Sequence, residues 1–357
     1  MKQHKIAVIP GDGIGPEVIA AGLKVLNYIN EKEKSGTFNY DVFDWGCEYY
    51  LKNKMMMPTD GIETLSNYQA IYLGAVGDPR VSDEISLWGL LMKIRQSFDQ
   101  FVNYRPNKSY GSFSSFYVHP PQFDILFVRE NVEGEYADCG GIVDVGGASE
   151  RAIQENVFTK VGCQRIMRYA FQQALKRSKR LTSISKSNAQ RYSMVYWDKL
   201  FNEIAQEYPE VQVNSLLIDA ACVQIIKKPQ DFDVIVCSNL FGDILTDLIT
   251  VLNGGLGMAA GANLNPGDPS KPAMFEPIHG SAPRLAGKNK ANPLATILAL
   301  GLMLDYLGYP QWKKTIDQAV SALIADGRHL TNDLGGSAST SEVADEIINL
   351  LAAGQST

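Results

Sequence analysis

The chain has 357 residues, longer than the ~250–300 at which single hydrophobic cores stop growing, so two lobes are expected. Its composition, 45% hydrophobic and 20% charged, is that of a folded globular protein, and a net charge of −6 argues against a nucleic-acid partner. No apolar run is long enough to span a bilayer, and the N-terminal residues read as a strand rather than a leader, so a cytoplasmic location is expected.

The first predicted strand, KIAVIP, enters GDGIGPEV and then a helix from Pro16 to about Asn30, with proline at its first position. Gly11, Gly13 and Gly15 invite a phosphate-loop reading, but their G-x-G-x-G spacing is not the dinucleotide G-x-G-x-x-G. Pro16 stands where the third glycine belongs. Asp12 and Glu17 add negative charge where a pyrophosphate would lie, and no Lys-Ser/Thr pair follows to make a P-loop. A tight strand-to-helix turn, open to close approach by another segment, is the reading that survives.

Further along, the MMM run reads as apolar packing, and AIYLGAVG, DILFVRE and DVIVCSNLFGD read as buried strands. EYADCGGIVDVGGASERAIQENVF alternates glycine turns with strand-like residues and predicts a hairpin arm. PLATILALGLMLDYLG reads as a buried helix, and SEVADEIINLLAAG as an amphipathic one with Ser341 as N-cap. Strands alternating with helices define an α/β protein. The five cysteines are scattered and expected to be reduced, and the four histidines lie far apart, so any metal must be held by carboxylates.

Asp243 and Asp247 in NLFGDILTDLI lie four apart, so a helix projects both carboxylates from one face. Their repulsion reverses sign if a divalent cation with a preference for oxygen binds there. Asp219, read as the end of the strand-like NSLLID, is a third acid in apolar surroundings. Arg95 lies in an apolar helical stretch, and Arg105 and Arg129 are read as the ends of strand-like runs. Three arginines at core elements suit a substrate with several carboxylates. Lys186 in SISKSNAQ is a candidate base and Tyr136 in RENVEGEY a candidate acid.

Together GDGIGPEV, NYRP, VRENVEGEY, SKSN, NLFGDILTDL, FEPIHGSAP and ANP, in this order, resemble the β-decarboxylating dehydrogenases: isopropylmalate, isocitrate, homoisocitrate and tartrate/D-malate dehydrogenases. The resemblance covers essentially the whole chain. It implies an isopropylmalate/isocitrate dehydrogenase-like α/β fold, not a Rossmann fold, with two lobes sharing a large mixed sheet. One lobe, 1–100 plus 254–357, would bind cofactor; the other, 101–253, would hold substrate and metal and dimerise through a clasp arm at about 136–158. Asp243 and Asp247 would be metal ligands with Asp219 from the partner subunit. Arg95, Arg105 and Arg129 would hold substrate carboxylates, Lys186 of the partner would be the general base or its water-linked relay with Asn188 nearby, and Tyr136 the acid. Ile14, Gly255, His279, Gly280, Ser281, Ala282, Arg284 and Asn292 would contact NAD or NADP. Mg²⁺ or Mn²⁺ is the divalent ion implied, and the need for a monovalent cation is left open.

The resemblance also bears on specificity. Isocitrate dehydrogenases carry Ser and Asn where this chain has Gly89 and Leu91, which disfavours isocitrate. Trp88, in the SLWG pattern shared with tartrate/D-malate dehydrogenases, would fill the space for a substituent on C3. The expected reaction is therefore metal-dependent oxidative decarboxylation of a small C4 2-hydroxy dicarboxylate, D-malate to pyruvate and CO₂, and/or oxidation of tartrate, by a homodimer that reduces NAD(P). The alternatives are a 3-isopropylmalate dehydrogenase and a catalytically silent subunit on the same scaffold. Arg284 stands where NAD-using members have an acid, so NADP is expected to serve at least as well as NAD.

Overall fold

The computed structural model describes residues 3–33, 36–111 and 121–354. Twelve strands occur among them: β1 (His4–Gly11), β2 (Phe38–Val42), β3 (Ala70–Ala75), β4 (Val102–Lys108), β5 (Asp124–Glu130), β6 (Gly140–Val143), β7 (Arg151–Gln154), β8 (Arg180–Ser185), β9 (Gln212–Leu217), β10 (Val234–Cys237), β11 (Ala260–Leu264) and β12 (Ala273–Pro277). The chain divides into two compact units, the first comprising Met1–Gln100, Ser109–Pro120 and Thr250–Thr357, the second Phe101–Lys108 and Pro121–Ile249.

In the first unit the strand order is β2-β1-β3-β12-β11, parallel except for the β11–β12 pair. β3, β11 and β12 and most of β1 are buried on both faces, as strands covered by helices must be, while β2 at the edge is largely exposed. The helix Leu294–Tyr306 is buried continuously from Leu294 to Leu304, which its all-round apolar sequence requires. Tyr72 on β3 donates its hydroxyl hydrogen to the Thr296 carbonyl of that helix at 2.8 Å, which satisfies its one buried polar atom.

In the second unit the order is β4-β5-β10-β8-β9, parallel apart from β4–β5. β6 and β7 form a separate two-stranded antiparallel hairpin, almost wholly exposed. Ile142, Val145 and Ile153 leave 62%, 76% and 42% of their surfaces uncovered there, a pattern of apolar side chains without a core of their own.

Three local readings of the sequence are corrected. Arg105 lies in the middle of β4, not at a strand end, because the strand continues through Pro106 to Lys108. Asp219 is in the first turn of the helix Ile218–Lys227, where a carboxylate is favoured by the helix dipole, rather than at the end of β9. The N-terminus of the last helix, Thr340–Gly354, is closed by Ser339 and not Ser341: Glu342 N–H donates to Ser339 Oγ at 3.3 Å and Ser339 N–H donates to the Glu342 carboxylate at 2.8 Å. That reciprocal pair is a capping box.

Candidate active site

In the second unit the segment after β5 is built around the start of the helix Asn239–Thr250. The Glu135 carboxylate accepts from Ser238 Oγ at 2.7 Å and from Leu240 N–H at 3.1 Å, so an acid closes the helix N-terminus. This fixes its neighbour Tyr136 over the first turns, where the Tyr136 hydroxyl donates to Asp243 at 3.1 Å. Arg129, at the end of β5 and 1% exposed, donates to Asn239 Oδ1 through Nε (3.1 Å) and one terminal nitrogen (2.6 Å). Its other terminal nitrogen pairs with Asp243. The Arg129 guanidinium also lies 5.6 Å from the centre of the Tyr136 ring. Gly242 makes this passage possible, since a Cβ there would stand 2.7 Å from Arg129 Cγ. Arg105 completes the group, donating to Thr246 Oγ1 at 2.6 Å and lying 3.3 Å from Asp243.

Asp243 and Asp247 thus share the helix face that the sequence predicted, one turn apart. Burial, and next to it the charge of Asp243, push the Asp247 carboxyl above its ordinary range. Burial, with Asp243 second, also raises the Tyr136 phenol, which keeps its proton across the neutral range. Lys186, just after β8, donates to Asp219 at 2.6 Å, and that bond holds the Asp219 carboxyl below its usual value. Asn188 is exposed in the turn that follows. Among the described residues no group of three or more His, Cys, Asp or Glu side chains is placed to hold a metal, so Asp219 does not join Asp243 and Asp247 within one chain.

The other predicted substrate residues belong to the first unit. Arg95, on the helix Met92–Ser97 and 5% exposed, pairs with Glu276 of β12 at 2.7 Å, and Asn263 of β11 donates to the same Glu276 oxygen at 2.8 Å. Its Nε is buried without a hydrogen-bond partner. Trp88 is half-buried in a π-helical turn, Leu87–Leu91, that directly precedes that helix. Such one-residue expansions re-aim the side chains that follow and gather at functional sites. The sequence carried no periodic signal for it.

Also in the first unit, a cavity of about 970 Å³ is lined by Ile14, His279, Gly280, Ala282 and Asn292 of the predicted set. Gly255, Ser281 and Arg284 are not on its lining. Leu256 and Gly257, Lys288 to Lys290, and the stretch from Asn332 through Ser339 supply wall residues that the sequence did not single out. The opening motif builds one wall. Gly13, at φ +60°, packs so closely that a Cβ would stand 2.0 Å from the Ser281 carbonyl, and Ile14 N–H donates to that carbonyl at 2.8 Å. The Asp12 carboxylate accepts Cys47 N–H at 2.7 Å and Gly77 N–H at 2.9 Å. Glu17 accepts the N–H groups of Asn289 and Ala291 at 3.3 and 3.2 Å. The two acids that seemed to forbid a phosphate are therefore fasteners of the surrounding loops. Burial lowers the His279 pKa, which leaves a neutral ring whose Nε2 is buried and without a partner.

The isocitrate/isopropylmalate dehydrogenase family pattern matches residues 5–347. The chain belongs to this family. It is an oxidoreductase with the isocitrate dehydrogenase-like α/β fold. It is 46% identical over 352 residues to a probable tartrate dehydrogenase/decarboxylase of Bacillus subtilis, covering 98% of this chain and 99% of that one. It is 45% identical over 361 residues to the D-malate dehydrogenase (decarboxylating) of Escherichia coli, again covering 98% and 99%. Among solved structures, an isocitrate dehydrogenase from Methylococcus capsulatus superposes with a TM-score of 0.88 at 33% identity, over 98% of this chain and 99% of that one. A β-decarboxylating dehydrogenase from Thermococcus kodakarensis gives 0.80 at 32% identity, over 99% and 98%. No helix among the described residues is long and apolar enough to cross a membrane.

Proposed function

We propose that this dehydrogenase oxidatively decarboxylates a C4 2-hydroxy dicarboxylate, D-malate or tartrate, reducing a nicotinamide dinucleotide. The observation that carries the reading is the convergence of Tyr136, Arg105 and Arg129 on Asp243, one helical turn from Asp247. The names of relatives at about 45% identity over nearly their full length point the same way.

Asp243 and Asp247 suit a hard divalent cation such as Mg²⁺ or Mn²⁺: two oxygen donors share one face, and each raises the cost of the other's charge. A third carboxylate would come from Asp219 of a second copy, with Lys186, its hydrogen-bond partner, beside it. The exposed apolar hairpin β6–β7 supports such a homodimer, clasped through residues 136–158. The orphaned His279 Nε2 and the cavity's size and largely apolar lining suit a dinucleotide.

When bound, the cation polarises the 2-hydroxyl oxygen and the nicotinamide ring accepts the hydride. Arg105 and Arg129, with Arg95, bind and orient the substrate carboxylates. Lys186 of the second copy, as the neutral amine or through a linking water, receives the hydroxyl proton. Once the β-carboxyl group has left as CO₂, Tyr136 returns a proton to C3, a role for which a phenol that stays protonated is suited. Trp88 restricts the space for a C3 substituent.

The test is a panel of D-malate, the tartrates, isopropylmalate and isocitrate with Mn²⁺ or Mg²⁺, following reduced cofactor and CO₂. Turnover of D-malate or a tartrate, abolished by EDTA and restored by Mn²⁺, is the expected result. Turnover of isopropylmalate alone would overturn the substrate assignment.

A further inference from the structure

We propose that Met56 is a positioning residue for substrate choice: it is the floor of the π-helical turn Leu87–Leu91 and thereby sets how much space Trp88 leaves at the substrate's C3. The inference rests on the proposed placement of Trp88 beside that carbon.

Met56 is the middle residue of the MMM run and only 2% exposed. It meets the turn at Gly89, the residue after Trp88. A Cβ on Gly89 would stand 2.6 Å from Met56 Cγ and 3.1 Å from Met56 Cβ. Among the described residues, Met56 alone approaches that position from outside the turn. The backbone of the turn therefore rests directly on one side chain. Leu90, fully buried, and Ile94 of the following helix enter the same apolar cluster as Met56, together with Trp45, Met57 and Phe98.

The floor itself is anchored. Gly46 N–H donates to the Met56 carbonyl at 3.1 Å, and Gly46 packs against the Asp12 carboxylate. That carboxylate also receives Cys47 N–H and Gly77 N–H. Gly77 opens the loop that leads into the short helix Asp83–Ser86 and then the π-turn. One acid of the opening motif thus fixes both the backbone beneath the turn and the segment that feeds it. Between these fixed points the height of the turn depends on the bulk of an unbranched, adaptable thioether. A π-turn holds its geometry through tertiary packing more than through its own hydrogen bonds, so removing the floor lets it settle into the space left behind.

The test is kcat/KM for D-malate and for its 3-methyl and 3-isopropyl derivatives, with Mn²⁺ and the nicotinamide cofactor. Met56→Ala should raise the value for 3-methylmalate relative to D-malate by about tenfold, the scale of one methyl group in a hydrophobic pocket. Met56→Leu, which refills the floor, should keep the native ratio. Gly89→Ala presses on the same contact from the other side and should lower the ratio severalfold. Adding Met56→Ala to that variant should restore it, since two residues in contact compensate where independent ones only add. A ratio unmoved in Met56→Ala, while Trp88→Ala raises it, would overturn the floor and leave Trp88 in place. Equal losses on every substrate, without compensation in the double variant, would reduce Met56 to a core residue and overturn it too. If Met56→Ala fails to fold, an unmoved ratio in Gly89→Ala decides against the floor. A ratio unmoved even in Trp88→Ala would remove the Trp88 reading itself, and the floor with it.

Discussion

The Tyr136 hydroxyl donates to Asp243 across 3.1 Å, from a loop whose preceding residue, Glu135, closes the helix that carries Asp243. The proposed proton donor and the proposed metal ligand are thus held by one capping interaction. Tyr136→Phe removes the donor and leaves the cap. It should lower kcat for the decarboxylating reaction by about 100-fold or more with little change in KM, measured as reduced cofactor and CO₂ released. Glu135→Ala should affect both the helix and the site, lowering thermal stability as well as kcat.

Glu276 is the counter-charge of a buried arginine. Glu276→Ala leaves Arg95 uncompensated inside the first unit and should cost about 3–5 kcal/mol, read as a shift in denaturation midpoint. Glu276→Gln keeps an acceptor for Arg95 and should cost less.

Glu130 gives a pH signature. Burial, the dominant cause, pushes its carboxyl up to about 8 in the folded chain, while both oxygens accept backbone N–H groups of Val132 and Glu133. A carboxyl that binds its proton more tightly when folded favours the native state fully at pH values below its ordinary range. That advantage drains away as pH rises towards about 8 and then levels off. Denaturant midpoints should therefore fall between about pH 5 and 8 by on the order of a few kcal/mol, and Glu130→Gln should flatten the profile. An unchanged slope in the variant would remove Glu130 as its source.

Gly13 sits in left-handed backbone against the Ser281 carbonyl. Gly13→Ala should cost about 1–2 kcal/mol from the backbone alone and force the Ser281 loop away. Dinucleotide affinity, measured by titration, should fall in the variant even where circular dichroism shows a folded chain.

Periodic features were legible in the sequence. Asp243 and Asp247 show as a pair because helical spacing is fixed, and the helix from Leu294 shows because every face is apolar. What joins distant segments was not. Tyr136 is brought to Asp243 beside Glu135, which accepts from Ser238, 103 residues later, at the start of a helix, and no local pattern reports that bond. The π-turn at Leu87–Leu91 adds one residue to a helix and leaves no periodic trace. Asp12 and Glu17 were read by charge as hostile to phosphate, when their partners are backbone N–H groups of neighbouring loops. Lys288 and Lys290 lie in a loop without periodicity, and only the cavity wall singles them out.

Hydrogen bonds through Asn289 and Ala291 join Glu17, near the start of the chain, to Thr340 and Ser341, near its end. Translation delivers these partners in order, so the wall of the cavity cannot close until the last helix has left the ribosome. A nascent chain therefore has no finished cavity wall to draw on while it folds.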